Sequence, residues 1–476
     1  MSDSTASQNP GWRFPRAFWT ANVVELLERA AWYGVFVAIT LYLSRILGFT
    51  DIEAATISGV FTAGLYFLPT FAGAYADRIG YRAALLLAFG LLTIGYASMW
   101  VLPTLLAASG LVEYGREVVF TGLEDGWQKW IFIPVMLVIM VGGSFIKSVI
   151  TGTVARETTA VNRARGYSIF YAMVNVGAFS GKTLVKPLRV SMGNEGLIVL
   201  NLFAAGMTLL AFVLVLFFYR SARSAGEGKQ FSEIWRALVA VITRGRLITL
   251  IIIITGFWMV QHQLYASMPK YILRMVGEGA SPSWYANVNP AVVVLTVSLV
   301  TQLMARRTAL TSMTVGMFIM PISALSMASG NMLGGEILGM HPVAFMMVVG
   351  IAFQGLAESF ISPRYLEYFS VQAPDGEEGL YLGFSHLHSF ISAIVGFVMS
   401  GLLLEKFCPD PKTLSPAEQA QRLEALAGNG PMPEAYAHAH YLWFTFVGVA
   451  LVAAIALIVF GQVTRRIDAR KAAAGE

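Results

Sequence analysis

The stretch Glu25–Gly34, read as Glu-Leu-Leu-Glu-Arg-Ala-Ala-Trp-Tyr-Gly, places three charges inside Ala17–Leu43, which is otherwise apolar enough to cross a bilayer. Each charge at the centre of a membrane helix costs roughly 2.5–3.5 kcal/mol on insertion scales, so three cost about 8–10 kcal/mol unless they pair or face water. Glu28 and Arg29 can neutralise each other, which leaves Glu25 as a carboxylate that can exchange a proton. The stretch therefore predicts a membrane helix with one face reserved for protein or water.

Helical spacing gives this stretch two different faces. At about 100° per residue, one face carries the charges and the aromatic rings, with Tyr33 at its edge: Glu25, Glu28, Arg29, Trp32 and Phe36. The opposite face holds Leu26, Ala30 and Val37, which we expect to meet lipid. The residues alone fit either a proton-exchanging group that lines a cavity or a buried ionic staple between helices.

The composition of the whole chain is that of a multi-pass membrane protein. Of its 476 residues, 56% are hydrophobic and 13% charged, and the mean hydropathy is +0.64. A single cysteine, Cys408, excludes a disulfide framework, and no Cys-His spacing indicates a metal, so we expect no metal and no cofactor. Residues 1–12 are polar and do not read as a cleaved signal peptide. The net charge of +5 comes from basic residues in short loops, so we expect no nucleic-acid partner.

Apolar runs of about 20 residues predict twelve membrane helices in two sets of six. The first set is Ala17–Leu43, Ala55–Asp77, Arg82–Thr104, Trp130–Val154, Gly166–Pro187 and Leu197–Tyr219. The second set is Leu247–Leu273, Tyr285–Met304, Leu310–Ser329, Pro342–Ser362, Gly379–Leu404 and Tyr441–Val463. We therefore expect an all-α membrane protein with a six-helix bundle (1–219), a polar linker (220–246) with an amphipathic piece at Phe231–Val241, and a second six-helix bundle (247–476).

The distribution of basic residues predicts the orientation of the chain. If the N-terminus is cytoplasmic, the clusters of Arg and Lys fall on the inner side, and the two longest loops, Leu105–Lys129 and Glu405–His440, fall outside. We expect a protein of the cell (inner) membrane with both termini in the cytoplasm.

The loop after the second predicted span reads Gly73-Ala-Tyr-Ala-Asp77-Arg78-Ile-Gly80-Tyr-Arg82. It resembles the loop Gly-x-x-x-Asp-Arg-x-Gly-x-Arg of the major facilitator superfamily, although an ordinary capped turn has similar residues. Gly80 permits a tight turn, and we expect Asp77 to cap the next helix and to bind basic groups of a neighbouring helix. The resemblance implies the major facilitator fold and a cytoplasmic gate at this loop.

Two further motifs are similar to signatures of the proton-dependent oligopeptide transporters, a branch of that superfamily. Glu-x-x-Glu-Arg at residues 25–29, followed by aromatics and glycine, resembles the first signature. Phe170-Tyr171-Ala-Met-Val-Asn175-Val-Gly177 resembles the second, Phe-Tyr-x-x-Ile-Asn-x-Gly. The resemblance implies proton coupling at Glu25, Glu28 and Arg29 and a substrate contact at Asn175.

Weaker resemblances add four candidate cavity residues, Tyr66, Lys147, Asn289 and Glu358. By themselves Tyr66 also fits a packed aromatic, Lys147 a side chain reaching the cytoplasm, and Asn289-Pro290 a kink. Glu358 precedes Ser362-Pro363 and Ala373-Pro374, a stretch similar to the family's tenth helix. We expect Glu358 and Lys147 to pair when the cytoplasmic gate is shut, and protonation or substrate to loosen the pair.

The chain departs from the family pattern at two positions. Phe36 stands where the family has an arginine, and His262, in Phe257-Trp258-Met-Val-Gln261-His262-Gln263, stands where the family has a glutamate. Because the chain lacks both the arginine and the glutamate, neither charge is left buried alone. The arginine that the resemblance implies as a partner for a peptide carboxylate is, however, missing as well. His262 fits a hydrogen-bonded interior histidine or a second proton site. Lys182 matches no family residue and fits either a cavity wall or an interface.

Together these motifs predict a proton-coupled symporter that imports di- or tripeptides or related small zwitterions as a monomer. We expect coupling at Glu25, Glu28, Arg29, Lys147, Glu358 and His262, and substrate binding at Tyr33, Phe36, Tyr66, Lys147, Asn175, His262, Asn289 and Glu358. Phe36 and His262 also fit a transporter of another small anion or metabolite. A membrane receptor or an intramembrane enzyme are alternatives from other classes, but no Ser-His-Asp, Gly-x-Ser-x-Gly or metal-ligand spacing lies within the spans.

Overall fold

The computed structural model describes residues 13–114, 123–159, 162–220, 230–372 and 378–474, which fold into α-helices and four short 3-10 helices without a strand. Residues 1–12 and Ala373-Pro374 lie outside the described residues, as do parts of the loop Leu105–Lys129 and of the linker 220–246.

The first half of the chain forms eight helices. They are α1 (Arg16–Phe36), α2 (Ile39–Arg45), α3 (Asp51–Phe67), α4 (Pro69–Ile79), α5 (Tyr81–Ala108), α6 (Phe132–Arg156), α7 (Arg163–Met192) and α8 (Asn194–Phe218). A 3-10 helix, Trp127–Ile131, leads into α6.

A helix in the linker precedes the second half. It is α9 (Phe231–Thr243), close to the predicted amphipathic piece. The second half consists of α10 (Gly245–Gln261), α11 (Gln263–Ala266), α12 (Met268–Val276), α13 (Pro282–Tyr285), α14 (Val288–Leu303), α15 (Ala309–Ser329), α16 (Pro342–Val371), α17 (Glu378–Ser385), α18 (Leu387–Phe407), α19 (Pro416–Leu426) and α20 (Tyr441–Ala474). Short 3-10 helices lie at Gly330–Met332, Pro411–Thr413 and Glu434–Tyr436.

These helices confirm an all-α membrane protein. In the part of the chain that the structure describes, nine helical stretches are long and apolar enough to cross a membrane, and the bent pairs α1 with α2 and α3 with α4 bring the number to eleven. The 30 residues of α7 span about 45 Å, which is also long enough, but this helix carries several lysines and arginines. With α7 the arrangement is consistent with the twelve predicted spans, while the domain boundaries at 219 and 247 stay a prediction.

Two predicted single spans are broken helices. The axes of α1 and α2, and those of α3 and α4, differ by 47° in each case. The second break has a clear local cause, because Pro69 has no N–H to continue the ladder of α3 and instead starts α4 at a position where proline is favoured.

The expectation that Leu26, Ala30 and Val37 face lipid is wrong, because other helices cover this side of α1. Ala30 and Val37 are buried, and half-buried Leu26 packs against the core. A Cβ on Gly181 of α7 would lie 2.2 Å from the carbonyl oxygen of Ala30, so the two backbones touch directly. The surface of α7 around Gly181 therefore packs against this side of α1, where we had expected lipid.

The loop between α4 and α5 differs in one respect from the prediction. Gly80 has φ +85°, the left-handed conformation that a tight turn requires. Asp77 accepts a hydrogen bond from Arg156 of the neighbouring α6 at 2.9 Å, as expected. Asp77 does not cap α5, because it lies in the last turn of α4 and Gly80 occupies the N-cap position without a side chain to offer. Gly73 faces Ser148, Arg78 is exposed, and Arg82 donates to the carbonyl oxygen of Leu216 at 2.8 Å.

Candidate functional site

A cavity of about 530 Å³ lies between the two halves of the molecule, within the range of small-molecule sites. Its wall contains every residue predicted for proton coupling or substrate binding: Glu25, Glu28, Arg29, Tyr33, Phe36, Tyr66, Lys147, Asn175, His262, Asn289 and Glu358. Residues that are far apart in the sequence therefore meet around one space, although their roles remain predictions.

On the first wall, one guanidinium serves two carboxylates. Arg29 Nε lies 3.2 Å from Glu25 Oε1, and the same side chain also pairs with Glu28. Glu25 and Glu28 are both about 3% exposed. Glu25 is therefore not left over, as the sequence had led us to expect, because Arg29 sits four residues on and reaches it across one helical turn. The second carboxylate oxygen of Glu25 has no hydrogen-bond partner among the described residues.

Lys147 of α6 lies beside this cluster. Its side chain is exposed to the cavity, and its charge interacts with those of Glu25 and Arg29. A side chain that merely reaches out to the cytoplasm would not line the cavity, so the cavity-facing alternative is the one that the fold adopts.

On the opposite wall, Glu358 is held by amides. Glu358 Oε2 accepts hydrogen bonds from Gln261 at 2.9 Å and from Asn289 at 3.4 Å. In the described part of the chain Glu358 has no basic group within 4 Å, and the expected pair with Lys147 is not formed in this conformation. Lys147 instead faces the acids of α1, on the other side of the cavity.

Lys182 of α7 is a buried residue of the cavity wall. Its side chain is 1% exposed, and Nζ donates to the carbonyl oxygen of Ala286 in the other half at 3.3 Å. The rings of Tyr33 and Tyr265 lie 4.9 and 5.7 Å from Nζ. Lys182 thus both lines the cavity and contacts the interface, the two alternatives that its sequence position left open.

Phe36 and His262 occupy one aromatic region. The Phe36 ring stacks on Trp32 at 4.6 Å and packs against Tyr265 at 4.9 Å. His262 is 5% exposed and lines the cavity, and neither ring nitrogen has a well-aligned hydrogen-bond partner among the described residues. The ring of Phe397 lies near both Phe36 and His262, at 6.5 and 5.9 Å.

Several cavity residues were missed by sequence reasoning. Gln261, Tyr265, His386 and His388 all line the cavity. On α10 and its continuation, the cavity residues Trp258, Gln261, His262 and Tyr265 follow the spacing i, i+3, i+4, i+7 of a single helix face, a signal that was available in the sequence.

One end of the cavity is closed by ion pairs between the two halves. Asp51, at the start of α3, lies 2.7 Å from both Lys270 and Arg274 of α12, and all three side chains are 3–4% exposed. Glu278 lies 2.6 Å from Arg45 and 2.7 Å from Arg189. In the described part of the chain these four contacts are the ion pairs that join the halves, and all four lie at the end where α2 finishes, away from the chain termini.

The fold and this cavity define a class of protein, a transporter built from two helical bundles around a central site. The chain belongs to the Major Facilitator Superfamily, whose family model matches residues 22–335.

Within that superfamily, similar curated proteins are dipeptide and tripeptide permeases. Permease A of Proteus mirabilis is 25% identical over 205 residues, which cover 42% of this chain and 37% of the relative. Permease A of Escherichia coli is 26% identical over 278 residues, covering 56% and 49%. The chain thus matches half or less of the length of these relatives. Permease B of Photorhabdus asymbiotica is 22% identical over 442 residues, covering 80% and 86%.

Solved structures with the same fold include proton-dependent oligopeptide transporters. One studied for substrate recognition has a TM-score of 0.67 and 20% identity, covering 94% of this chain and 99% of that chain. A tetrameric crystal form of PepTSo2 gives 0.69 and 19%, covering 95% and 99%. A transporter of the family in complex with 5-aminolevulinic acid gives 0.66 and 17%, covering 95% and 97%.

Proposed function

We propose that this protein is a proton-coupled symporter that imports di- or tripeptides, or related small zwitterions, by alternating access. The observation that carries the proposal is the cavity itself, which has exchangeable carboxylates of α1 on one wall and a carboxylate of α16 on the other. A receptor that does not transport would have no need of such acids beside the junction of two bundles.

Proton coupling is assigned to the cluster of Glu25, Glu28 and Arg29. One guanidinium cannot fully neutralise two buried carboxylates, so one of the two acids is poised to gain a proton. A proton that arrives there frees Arg29 to pair with the other acid alone, and this changes the charge facing Lys147.

Substrate binding is assigned to the wall between the bundles. The amides of Asn175 and Asn289, the carboxylate of Glu358 and the hydroxyls of Tyr33 and Tyr66 offer both donors and acceptors. This mixture suits a ligand that has an amine, a carboxylate and a peptide group. The similar transporter solved in complex with 5-aminolevulinic acid, a small zwitterion, supports the inclusion of small zwitterions other than peptides in the proposal.

Alternating access is supported by the ion pairs that close one end. We place that end outside and both termini in the cytoplasm of the inner membrane, so the cavity here belongs to an inward-facing conformation. In this conformation Glu358 and Lys147 are apart. The proposed outward-facing state breaks the ion pairs of Asp51 and Glu278 and brings Glu358 and Lys147 together.

A second candidate function is transport of another small anion or metabolite. The aromatic packing of Phe36 favours it, because no guanidinium stands at that position to bind a peptide carboxylate. We also expect a monomer, which size-exclusion chromatography with light scattering tests directly, since one similar structure is tetrameric.

The test is uptake of labelled dialanine and trialanine into proteoliposomes under an inward proton gradient. Wild type should accumulate them, and a protonophore should abolish the accumulation. Glu28→Gln should lose at least about tenfold of the gradient-driven accumulation yet keep counterflow, which requires binding but no net proton movement. The exposed Glu405→Gln, outside the cavity, is the matched control and should behave as wild type.

Failure of wild type to accumulate any di- or tripeptide would overturn the peptide assignment in favour of the second candidate. Full accumulation by Glu28→Gln would instead overturn the role given to the acids of α1.

A further inference from the structure

Lys182 is a buried cation in the cavity wall that has no acidic partner. Lys182 is 1% exposed, and in the described part of the chain the only hydrogen bond of its ammonium goes to the neutral carbonyl oxygen of Ala286. No described carboxylate lies within the 4 Å of an ion pair. A buried ammonium without an anion is costly, and this cost is relieved when an anionic ligand arrives.

Apart from Glu358, the other lysine, arginine and glutamate side chains of the cavity each have an oppositely charged neighbour. Arg29 is occupied by Glu25 and Glu28, and the charge of Lys147 interacts with that of Glu25. The cavity lining contains three glutamates and three lysines or arginines, so the leftover pair among these six is Lys182 and Glu358. These two interact electrostatically but are not in contact.

The surroundings of Lys182 hold its ammonium in place. The faces of Tyr33 and Tyr265 flank Nζ, an arrangement that attracts a cation without neutralising it. The preceding residue, Gly181, lies against the backbone of Ala30, so α7 cannot shift the lysine sideways relative to α1. The ammonium is thus held in one position before any ligand binds.

We propose that Lys182 binds the carboxylate of the substrate, in the role that Phe36 cannot fill. The proposal rests on the function proposed above and names the subsite that makes the substrate a zwitterion or an anion. A cation on α7 and a separate anion on α16 match a ligand whose carboxylate reaches Lys182 while its amine reaches Glu358. The Phe36 and Tyr265 rings form an apolar surface beside this subsite.

The rival explanation is that Lys182 only ties the halves together through Ala286. A tie of this kind would affect all ligands alike, whereas a carboxylate subsite would distinguish a free acid from its amide. The two explanations therefore differ in a measurable preference.

The experiment measures the affinity of dialanine and of its C-terminal amide as inhibitors of counterflow, in wild type and in three variants. Wild type should prefer the free acid by about tenfold or more, the worth of one charge-assisted contact. Lys182→Met should lose that preference by weakening only the free acid. Lys182→Arg should keep part of it. Lys186→Met, on the same helix but stacked on Trp284 outside the cavity wall, should match wild type.

Equal weakening of both ligands in Lys182→Met, or an unchanged preference, would overturn the proposal while leaving peptide transport intact. If wild type binds neither dialanine nor its amide, peptide transport fails, and propionate against propionamide then tests the subsite. A preference for propionate that Lys182→Met abolishes would support the carboxylate site, and equal binding would overturn it.

Each variant is first checked for a monodisperse peak on size exclusion, and if Lys182→Met fails that check, Lys182→Gln takes its place.

Discussion

The carboxylate of Asp51 lies 2.7 Å from the ammonium of Lys270, and this ion pair joins the start of α3 to α12 in the other half of the molecule. Arg274 binds the same carboxylate at 2.7 Å and also donates to the backbone oxygen of Cys408 at 2.6 Å. The single cysteine of the chain therefore sits beside the closed end of the cavity and can report on its opening.

Asp51→Asn should open this end. The change leaves two buried cations without their shared anion, which costs about 3–5 kcal/mol in comparable cases. Burial raises the pKa of the Cys408 thiol to about 12, so at pH 8 the wild-type thiol is almost wholly protonated and unreactive. We expect N-ethylmaleimide to modify Cys408 at least about tenfold faster in Asp51→Asn.

The matched control is Asp468→Asn, which removes an exposed ion pair with Arg246 on the opposite side of the molecule. It should leave the reaction rate of Cys408 unchanged. An unchanged rate in Asp51→Asn itself, in protein that remains monodisperse, would mean that the Asp51 ion pairs do not hold this end shut.

Glu278 gives this end a defined dependence on pH. Burial by itself raises the pKa of the carboxyl, but Arg45 and Arg189 outweigh it and hold the pKa below its ordinary value of about 4.5. Because the pKa is lowered on folding, the stabilisation is complete above pH 4.5 and is lost as pH falls through the lower value. Glu278→Gln should therefore lower Tm by a constant amount between pH 5 and 8, and the difference should shrink as the pH falls below 4.5.

The expected difference is small. Glu278 is 42% exposed, so solvent screens the pairs and leaves about 1 kcal/mol, or roughly 2 °C in Tm. The exposed Glu405→Gln, outside the cavity, is the control and should leave Tm unchanged at pH 7. A difference between wild type and Glu278→Gln that grows on acidification would contradict the assignment.

The sequence predicted the chemistry of the cavity better than its closure. The charged face of α1 and the asparagine of α7 follow local patterns, so their presence on one cavity wall was foreseeable. The ion pairs of Asp51 with Lys270 and Arg274 join residues 219 and 223 positions apart, and no local pattern encodes such a contact. The pair of Glu358 with Lys147 is not formed in this arrangement of the helices, and it stays a prediction for another conformation.

Lys182 illustrates a different limit. Its position in an apolar run indicated that it was unusual, but its neighbours in space, Tyr33, Tyr265 and Ala286, come from three other helical segments. Whether such a lysine faces a cavity depends on how α7 packs on α1, and that packing is set by glycines whose effect appears only when the helices are side by side.

Arg29 should be essential for the fold as well as for coupling. Arg29→Met leaves Glu25 and Glu28 buried together without the guanidinium that they share, and we expect a loss of about 3–5 kcal/mol and a markedly lower Tm. The triple variant Glu25→Gln, Glu28→Gln, Arg29→Met removes all three charges and should recover most of the wild-type Tm, but it should not accumulate substrate under a proton gradient.

The comparison between the two variants separates structure from function. A triple variant as unstable as Arg29→Met would show that the residues act through shape rather than charge. Gradient-driven accumulation by the stable triple variant would remove proton coupling from α1.

Phe36 and His262 should behave as a coupled pair. Both side chains pack near the ring of Phe397, so a charge placed at either position enters the same aromatic region. Phe36→Arg alone buries a guanidinium among Trp32 and Tyr265, whose ring faces recover at most about 2 kcal/mol of a penalty of about 3–5 kcal/mol. His262→Glu alone buries a carboxylate at a position that is 5% exposed and lies among the rings of Trp258, Tyr66 and Phe397. The double variant should be more stable than the sum of the single changes allows, by about 0.5–3 kcal/mol, because the new charges can pair across the halves.

Thermal unfolding of wild type, the two single variants and the double variant in one detergent measures this coupling. Strictly additive losses would mean that positions 36 and 262 do not meet in the folded protein.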